Sequence, residues 1–169
     1  VDILNKEAWE QKALINAGAL SVSELMQETL ARIELVNPKV NALVNILSKA
    51  ACEKLTSGEC PFGGALGGMP MAIKDLANVK GFKTTEGSPL YSERIARKDD
   101  QMVARLRAAG ALFIGKTNTP EFGLGSNTFN PVYGKTKNPY DLTRTCGGSS
   151  GGAAVALATR MLSISDGSD

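Results

Sequence analysis

Histidine is absent from all 169 residues of the chain. Its absence excludes, within these residues, every mechanism that needs an imidazole base, including the Ser-His-Asp and Cys-His types. Zinc sites with histidine ligands are excluded for the same reason. Any proton transfer that these residues perform therefore uses Lys, Tyr, Cys or a carboxylate.

Cysteine is also scarce. Cys52, Cys60 and Cys146 are odd in number, and no two of them form a C-x-x-C pair. A disulfide framework and a metal site are therefore not expected, and the three residues are predicted to be reduced thiols. The N-terminal sequence VDILNKEAWEQK carries acids where a signal peptide has bases followed by an apolar run. We expect a cytoplasmic location.

Aromatic residues make up only 5% of the chain, and its 19 basic residues are scattered among 17 acidic ones. A nucleic-acid surface needs a basic stripe or stacking aromatics, so direct binding of nucleic acid is not expected. No apolar run approaches the roughly 20 residues of a membrane span. The 43% of apolar residues are typical of a globular protein, and the length suits one domain.

The first sixty residues are predicted to be mainly helical. One helix should begin at Ser21, because Ser21 and Glu24 form a capping box, and should end before Pro38. The predicted elements are helices over 5–17, 21–36 and 48–56 and a strand over 42–47. Residues 1–60 contain no recognisable chemistry and are assigned as a helical N-terminal segment.

From Gly67 onward, short apolar runs alternate with glycine-rich turns and helices, which is typical of parallel βαβ units. The predicted elements are strands over 69–73, 111–114 and 161–165 and helices over 99–109 and 153–160. The stretch 123–148 is rich in Asn, Thr, Pro and Gly and should be mostly loop. Long irregular segments inside compact domains are usually functional. Residues 61–169 are therefore assigned to an α/β core.

Lys74 follows an apolar strand, and so is expected at the carboxyl end of that strand. Open α/β folds bind their ligands at the carboxyl ends of their strands. Burial there would lower the pKa of Lys74 from about 10.4, so that a neutral amine could act as a base. The alternative is a strand-end lysine that only pairs with Asp75 or another acid, and position alone favours that alternative.

The run GGSSGG at 147–152 places two hydroxyls at the start of a predicted helix. Its four glycines allow the backbone to approach a ligand closely. A flexible glycine-serine turn is the alternative, but such turns rarely lie between a long loop and an apolar helical segment.

Established motifs only partly fit this run. A P-loop needs Lys-Ser or Lys-Thr after its glycines, and none follows at that spacing, so no phosphate-binding cofactor is predicted. The pattern G-x-S-x-G is present around Ser149, but a nucleophile elbow also needs a preceding strand and a histidine. The pattern S-x-x-K does not occur. The remaining interpretation of this run is a serine hydroxyl that works with a distant lysine.

Five segments together resemble the amidase signature family, and the resemblance extends from about residue 20 to the end. The segments are GGMPMAIKDLANVKGF at 67–82, GKTNTPEFGLGSN at 115–127, NPVYGKTKNPYD at 130–141, CGGSSGGAAVALA at 146–158 and DGSD at 166–169. The resemblance implies an α/β fold in which a mixed sheet is flanked by helices. It also implies a hydrolase that uses a Ser-Ser-Lys triad and needs no metal or other cofactor.

The resemblance assigns roles to individual residues. Lys74 matches the catalytic lysine, and Ser149 matches the middle serine of the triad, whose peptide bond from Gly148 is expected to be cis. Ser150 either donates a hydrogen bond near the triad or caps the following helix. Asp169 is expected to organise the active-site turn.

The loop 123–128 is the candidate for the acyl side of the substrate pocket. Within it, Gly123, Gly125 and Ser126 are the predicted substrate-binding residues, and a plain surface turn is the alternative.

In the family, a DGSD-like segment is followed by Gly-Gly-Ser, whose serine is the nucleophile. This chain ends at Asp169, so the resemblance places the nucleophile beyond it. Ser165 and Ser168 precede that position and are not assigned its role. Because the chain also begins at Val1, we expect the first part of a longer enzyme. Its expected protein partner is the remaining C-terminal part or a second copy.

Three functions stay open at this point. The first is hydrolysis of a small carboxylic amide to acid and amine or ammonia. The second is an amidotransferase A-type subunit of the same family, which releases ammonia from glutamine for a partner bound to charged transfer RNA. The third is an inactive scaffold that keeps the fold without the nucleophile.

Overall fold

A three-stranded sheet organises the computed structural model, which describes residues 3–57 and 63–168. Its strands are β1 (Leu43–Val44), β2 (Pro70–Lys74) and β3 (Leu112–Thr117), in the order β1-β3-β2. β2 runs parallel to β3, and β1 runs antiparallel to it. The sheet is therefore mixed, as predicted. Every residue of β2 and β3 is buried, which is expected of strands covered on both faces.

In the described part of the chain, five α-helices surround this sheet and agree with the predicted ones apart from their ends. They are α1 (Ala8–Asn16), α2 (Val22–Val40), α3 (Lys49–Thr56), α4 (Gln101–Ala108) and α5 (Gly151–Ala158). Within the described residues, none of them is both long and apolar enough to cross a bilayer.

The helices cover both faces of the sheet. Side chains of β2 alternate, so that Ala72 contributes to one apolar cluster and Met71 and Ile73 to another. The first cluster combines Ala72 with residues of α2 and α5. The second includes Val103 of α4. The predicted fold class, an α/β fold with helices flanking a mixed sheet, is confirmed.

The helix α2 begins as predicted and ends later than predicted. The Ser21 hydroxyl accepts a hydrogen bond from the Glu24 N–H at 3.1 Å, which forms one half of the capping box. The helix then continues through Pro38 to Val40. Val40 is buried, and the Asn37 side chain bonds to the residues just after the helix, including the Leu43 N–H at 2.9 Å. These tertiary contacts outweigh the local cost of the proline.

The predicted strand over 161–165 is wrong. No strand forms there, and the open edge of β2 is occupied by side chains instead. The Ser165 hydroxyl donates to the Ala72 carbonyl at 3.2 Å, and the Lys74 N–H donates to Asp166 Oδ1 at 2.9 Å. Short polar side chains compete with backbone pairing in this way, and an apolar-run pattern does not reveal it.

The stretch 123–148 contains two short hairpins that the loop prediction missed. The first pairs β4 (Phe129–Asn130) with β5 (Gly134–Lys135), and the second pairs β6 (Lys137–Asn138) with β7 (Asp141–Thr145). Such short strands carry too little periodicity to be recognised in a sequence.

The predicted boundary between residues 60 and 61 lies outside the described residues. On either side of the gap, one apolar cluster joins Val22 and Met26 of α2 to Ile114 of β3. The N-terminal helices and the sheet therefore share a core.

Candidate active site

Lys74 is the last residue of β2, and its side chain is only 2% exposed. Its Nζ donates to Ser149 Oγ at 2.8 Å and to Ser150 Oγ at 2.9 Å. A third hydroxyl, that of Ser168, lies 2.9 Å from the same nitrogen. The structure thus brings the predicted lysine and both serines of the glycine run together, and it adds a serine that the sequence analysis set aside.

Ser149 lies in a tight turn just before α5. The peptide bond from Gly148 to Ser149 is cis, as the resemblance predicted. The first turn of α5 approaches the end of β3 so closely that a Cβ on Gly152 would overlap the backbone of Asn118 and the carbonyl of Ala42. The Gly152 N–H also donates to the Asn118 carbonyl at 3.2 Å. At Gly152, glycine is therefore needed for close packing.

Ser150 is the residue before α5, where a serine side chain usually caps the helix. Its side chain makes no capping hydrogen bond to the helix. Instead, Ser150 Oγ accepts from Lys74 Nζ, accepts from the Ser168 N–H at 3.0 Å and donates to the Ser168 carbonyl at 3.0 Å. The capping alternative is wrong, and Ser150 links the lysine to the segment that carries Ser168.

Ser168 was missed because its contact joins residues 94 positions apart, which no local pattern reports. Its position beside a glycine in DGSD was the only available signal. The neighbouring Asp169, predicted to organise the active-site turn, lies outside the described residues.

Ser149 and Ser168 line an open cavity of about 440 Å³. The predicted substrate residues Gly123, Gly125 and Ser126 line the same cavity. The other lining residues are Leu76, Phe122 and Gly148. The loop 123–128 and the serine turn therefore face one space, with apolar side chains that sequence reasoning did not assign to it.

Phe122 is 42% exposed and packs edge-to-face against Tyr91, with ring centroids 6.3 Å apart. Its backbone has a φ of +54°, which is uncommon for a bulky residue. The Phe122 N–H donates to the Glu86 carbonyl at 2.7 Å, so that tertiary contacts hold this conformation. No sequence signal indicated it.

Behind the site, Asp75 forms a buried ion pair with Lys116. Both side chains are fully buried, and Lys116 Nζ lies 3.5 Å from Asp75 Oδ1. Lys116 also donates to the Ala77 carbonyl at 2.6 Å, and Asp75 accepts from the Thr85 hydroxyl at 2.5 Å. Burial raises the pKa of Asp75 and lowers the pKa of Lys116, while each partner's charge opposes the shift. Asp75 therefore has Lys116 as its ion-pair partner, whereas Lys74 faces the serine hydroxyls.

Asp166 is a second carboxylate near the lysine, and no role was assigned to it. Its Oδ1 accepts from the backbone N–H of Lys74 at 2.9 Å. Burial raises the pKa of Asp166, and the hydrogen bond from Lys74 is the largest opposing influence. Asp166 thus fixes the chain just before Ser168 to the end of β2.

Two of the three cysteines lie in the described part of the chain. Cys52 is buried, Cys146 is half-buried, and both are free thiols whose pKa is raised mainly by burial. Cys60 lies outside the described residues. Over residues 3–57 and 63–168, no group of three or more Cys, Asp and Glu side chains is arranged to hold a metal ion.

Known proteins of similar sequence and structure include an amidotransferase subunit and hydrolases. The A subunit of the glutamyl-tRNA(Gln) amidotransferase of Syntrophobacter fumaroxidans is 42% identical over 154 residues, which cover 89% of this chain and 32% of that protein. A structure of 6-aminohexanoate cyclic dimer hydrolase with substrate superposes with a TM-score of 0.85 at 34% identity, over 98% of this chain and 34% of the other. Fatty acid amide hydrolase gives a TM-score of 0.86 at 26% identity, over 99% and 30%.

The chain spans about a third of the length of the curated relatives that it matches. The sequence model of the amidase family matches residues 24–169, which include the Lys74 strand, the loop 123–128 and the GGSSGG turn. The resemblance inferred from these segments is confirmed, and the chain belongs to the amidase family.

Proposed function

We propose that the protein hydrolyses a small carboxylic amide to an acid and an amine or ammonia. The supporting observation is the 2.8 Å hydrogen bond between Lys74 Nζ and Ser149 Oγ at the wall of the cavity. A lysine and a serine in this relation supply a base and a proton relay without histidine. The nucleophilic serine is expected from residues beyond Asp169.

In this mechanism Lys74 acts as a neutral amine, so that in the reactive state its 2.8 Å contact with Ser149 is reversed and Nζ accepts from the Ser149 hydroxyl. As the nucleophilic serine attacks the amide carbonyl, its proton passes to Ser149 Oγ, and the Ser149 proton passes to Lys74 Nζ. The reverse path delivers a proton to the leaving nitrogen, and water then releases the acid from the acyl-enzyme. Ser150 and Ser168 hold the lysine nitrogen in line for both transfers.

The acyl group of the substrate would lie against the loop 123–128. Gly123, Gly125 and Ser126 line this side of the cavity. The side chains of Leu76 and Phe122 give the cavity an apolar surface. An acyl group with an apolar portion therefore suits the cavity. Asp169 would order the turn that leads to the nucleophile, and backbone N–H groups beside that nucleophile would bind the oxyanion.

An amidotransferase A-type subunit is the second candidate. It is favoured by the sequence relatives, because the curated protein from Syntrophobacter fumaroxidans carries that name. Such a subunit would release ammonia from glutamine and pass it to a partner that binds charged transfer RNA. The two candidates differ in the amide that is consumed and in the need for partner proteins.

Ammonia or amine release by the natural polypeptide that contains this sequence tests both candidates. Glutamine and a series of aliphatic and aromatic amides are supplied, with Lys74→Ala and Ser149→Ala as inactive variants and the exposed Lys135→Ala as the matched control. We expect turnover that both site variants abolish and the control retains. Turnover of glutamine alone would favour the amidotransferase. No turnover of any amide would contradict both candidates and favour the inactive scaffold.

We also propose a cytoplasmic location, supported by the free thiols Cys52 and Cys146. Residues 1–60 would form the helical N-terminal segment of the amidase domain, and residues 61–169 would form the first part of its catalytic core. The remaining C-terminal part of the enzyme or a second copy is the proposed protein partner, with no direct contact to nucleic acid or membrane. Cell fractionation of the natural protein tests the proposed location, and its intact mass tests whether a C-terminal part is present.

A further inference from the structure

The first turn of α5 receives no hydrogen bond from the side chain of its own capping residue. Helices leave their first N–H groups without partners inside the helix, and the side chain of the residue before the helix usually accepts from one of them. Here that residue is Ser150, whose hydroxyl is engaged with Lys74 and Ser168. Another group has to accept from the start of the helix.

The Asn118 carbonyl accepts from the Gly152 N–H, and Thr128 supplies the acceptor for the Gly151 N–H. Its Oγ1 accepts a hydrogen bond from the Gly151 N–H at 3.1 Å, although the two residues are 23 positions apart. Its own N–H donates to the Gly147 carbonyl at 2.9 Å. Thr128 therefore bonds to the residues two before and two after Ser149, and so holds the serine turn from both sides.

Thr128 is itself held firmly. It is 0% exposed, and its carbonyl accepts from the Thr136 N–H at 2.9 Å. The Thr136 hydroxyl donates to the Asn41 carbonyl at 2.6 Å and accepts from Asn118 Nδ2 at 3.0 Å. A buried polar network thus connects Thr128 to the end of β3 and to the end of α2.

The Thr128 hydroxyl has a second neighbour, the Cys146 thiol. Its hydrogen bond with the Cys146 thiol lowers the pKa of that thiol against the stronger raising effect of burial. A residue without this hydroxyl would leave the buried Gly151 N–H unsatisfied.

We propose that Thr128 is a positioning residue, which caps α5 from outside the helix and thereby leaves the Ser150 and Ser149 hydroxyls directed at Lys74. Without the Thr128 hydroxyl, the Gly151 N–H loses its acceptor, and the turn that presents both serine hydroxyls to the lysine is held less firmly. Thr128 does not line the substrate cavity, so its loss should slow the acylation step and leave KM nearly unchanged. The catalytic part of this inference rests on the proposed amidase function.

Three variants of the natural polypeptide separate this role from general packing. Thr128→Val removes the hydroxyl at nearly the same shape, and Thr128→Ser keeps it. Thr119→Val is the matched control, because Thr119 is 1% exposed and its hydroxyl has no hydrogen-bond partner within the described residues. The probe is a fluorophosphonate that acylates the nucleophilic serine, together with kcat and KM for an amide that the enzyme turns over.

We expect Thr128→Val to lower the acylation rate and kcat by about tenfold or more, because an unsatisfied buried Gly151 N–H destabilises the turn that holds Ser149 and Ser150 in place. Thr128→Ser should restore most of the rate, and Thr119→Val should match the wild type. Equal acylation by Thr128→Val and wild type, or loss in Thr128→Ser as large as in Thr128→Val, would overturn the proposal.

Amide hydrogen exchange of the peptide covering 147–152 gives a readout that does not depend on activity. Thr128→Val should exchange faster there than either Thr119→Val or wild type, and unchanged exchange would overturn the proposed cap. If wild type neither labels with the probe nor hydrolyses an amide, the proposed function fails, while the exchange measurement still decides whether Thr128 caps the helix. Faster exchange with unchanged acylation would also overturn the positioning role.

Discussion

Lys74 Nζ and Ser149 Oγ lie 2.8 Å apart although 75 positions separate the two residues along the chain. The lysine comes from the end of a buried parallel strand, and the serine comes from a cis turn that leads into α5. Neither element contains a histidine that could serve as base. The geometry therefore explains how a chain without histidine can contribute a base and a proton relay to one site.

Gly152 should tolerate no side chain. A Cβ there would overlap the Asn118 backbone and the Ala42 carbonyl, neither of which can rotate away. We expect Gly152→Ala to lower the free energy of unfolding by about 1–3 kcal/mol or more, the range for overpacked sites. Urea denaturation measures this. Gly63→Ala is the control, because a Cβ on Gly63 meets nothing within 4 Å, and equal stability of the two variants would contradict the packing argument.

Lys116 and Asp75 should behave as a buried pair. Lys116→Met leaves a buried carboxylate without its partner, so we expect a loss of about 3–5 kcal/mol in the free energy of unfolding. The double variant Asp75→Asn with Lys116→Met should recover part of that loss.

The matched control for this pair is Lys83→Met, which breaks the exposed contact between Lys83 and Glu93 and should cost about 0–1 kcal/mol. Denaturation of the four proteins completes the comparison. Similar losses for the buried and the exposed lysine would show that the Asp75 pair has no special importance.

Asp166 should make stability depend on pH. Because burial raises its pKa in the folded protein, the folded state holds the proton more tightly than the unfolded state does. Its contribution is therefore fully present below the ordinary Asp pKa of about 3.9 and is lost as pH rises through the folded pKa. We expect Asp166→Asn, which keeps an oxygen acceptor for the Lys74 N–H, to fall less in stability over that window.

Thermal melts of Asp166→Asn and wild type at a series of pH values measure this difference. Asp141→Asn is the control, since Asp141 is only partly buried and its pKa is lowered by the Thr143 hydroxyl, which gives the opposite sign. Parallel curves of stability against pH for wild type and Asp166→Asn would contradict a raised pKa of Asp166 in the folded protein.

Ser168 should support the lysine without being essential. Its hydroxyl is one of three within residues 3–57 and 63–168 that hydrogen-bond to Lys74 Nζ, so Ser168→Ala should slow fluorophosphonate acylation less than Ser149→Ala does. The labelling rates of both variants are compared. Ser163→Ala is the control, because the Ser163 hydroxyl bonds to Gln11. Complete loss in Ser168→Ala with activity retained in Ser149→Ala would reverse the two roles.

Sequence reasoning succeeded where the information is local. A capping box located the start of α2, an apolar run followed by a polar residue located Lys74 at a strand end, and GGSSGG located the serine turn. These features depend on neighbours within a few positions. The α/β class followed from the alternation of apolar runs with helical segments.

It failed where contacts between distant segments decide the outcome. Ser165 and Asp166 bond to the edge of β2 with their side chains, so the apolar run before them forms no strand. Ser168 bonds to Lys74, which is 94 positions away. Phe122 bonds to Glu86 across 36 positions, and Thr128 bonds to Gly151 across 23. No periodicity or motif encodes such pairings.

Labelling of the natural polypeptide by a fluorophosphonate near neutral pH, with and without Lys74→Ala, tests the central claim most directly. The exposed Lys135→Ala serves as control for the loss of a lysine, and a thermal melt verifies that each variant is folded. We predict that wild type and Lys135→Ala are labelled and that folded Lys74→Ala is not, because the relay through Ser149 then has no base. Undiminished labelling of Lys74→Ala would contradict the account.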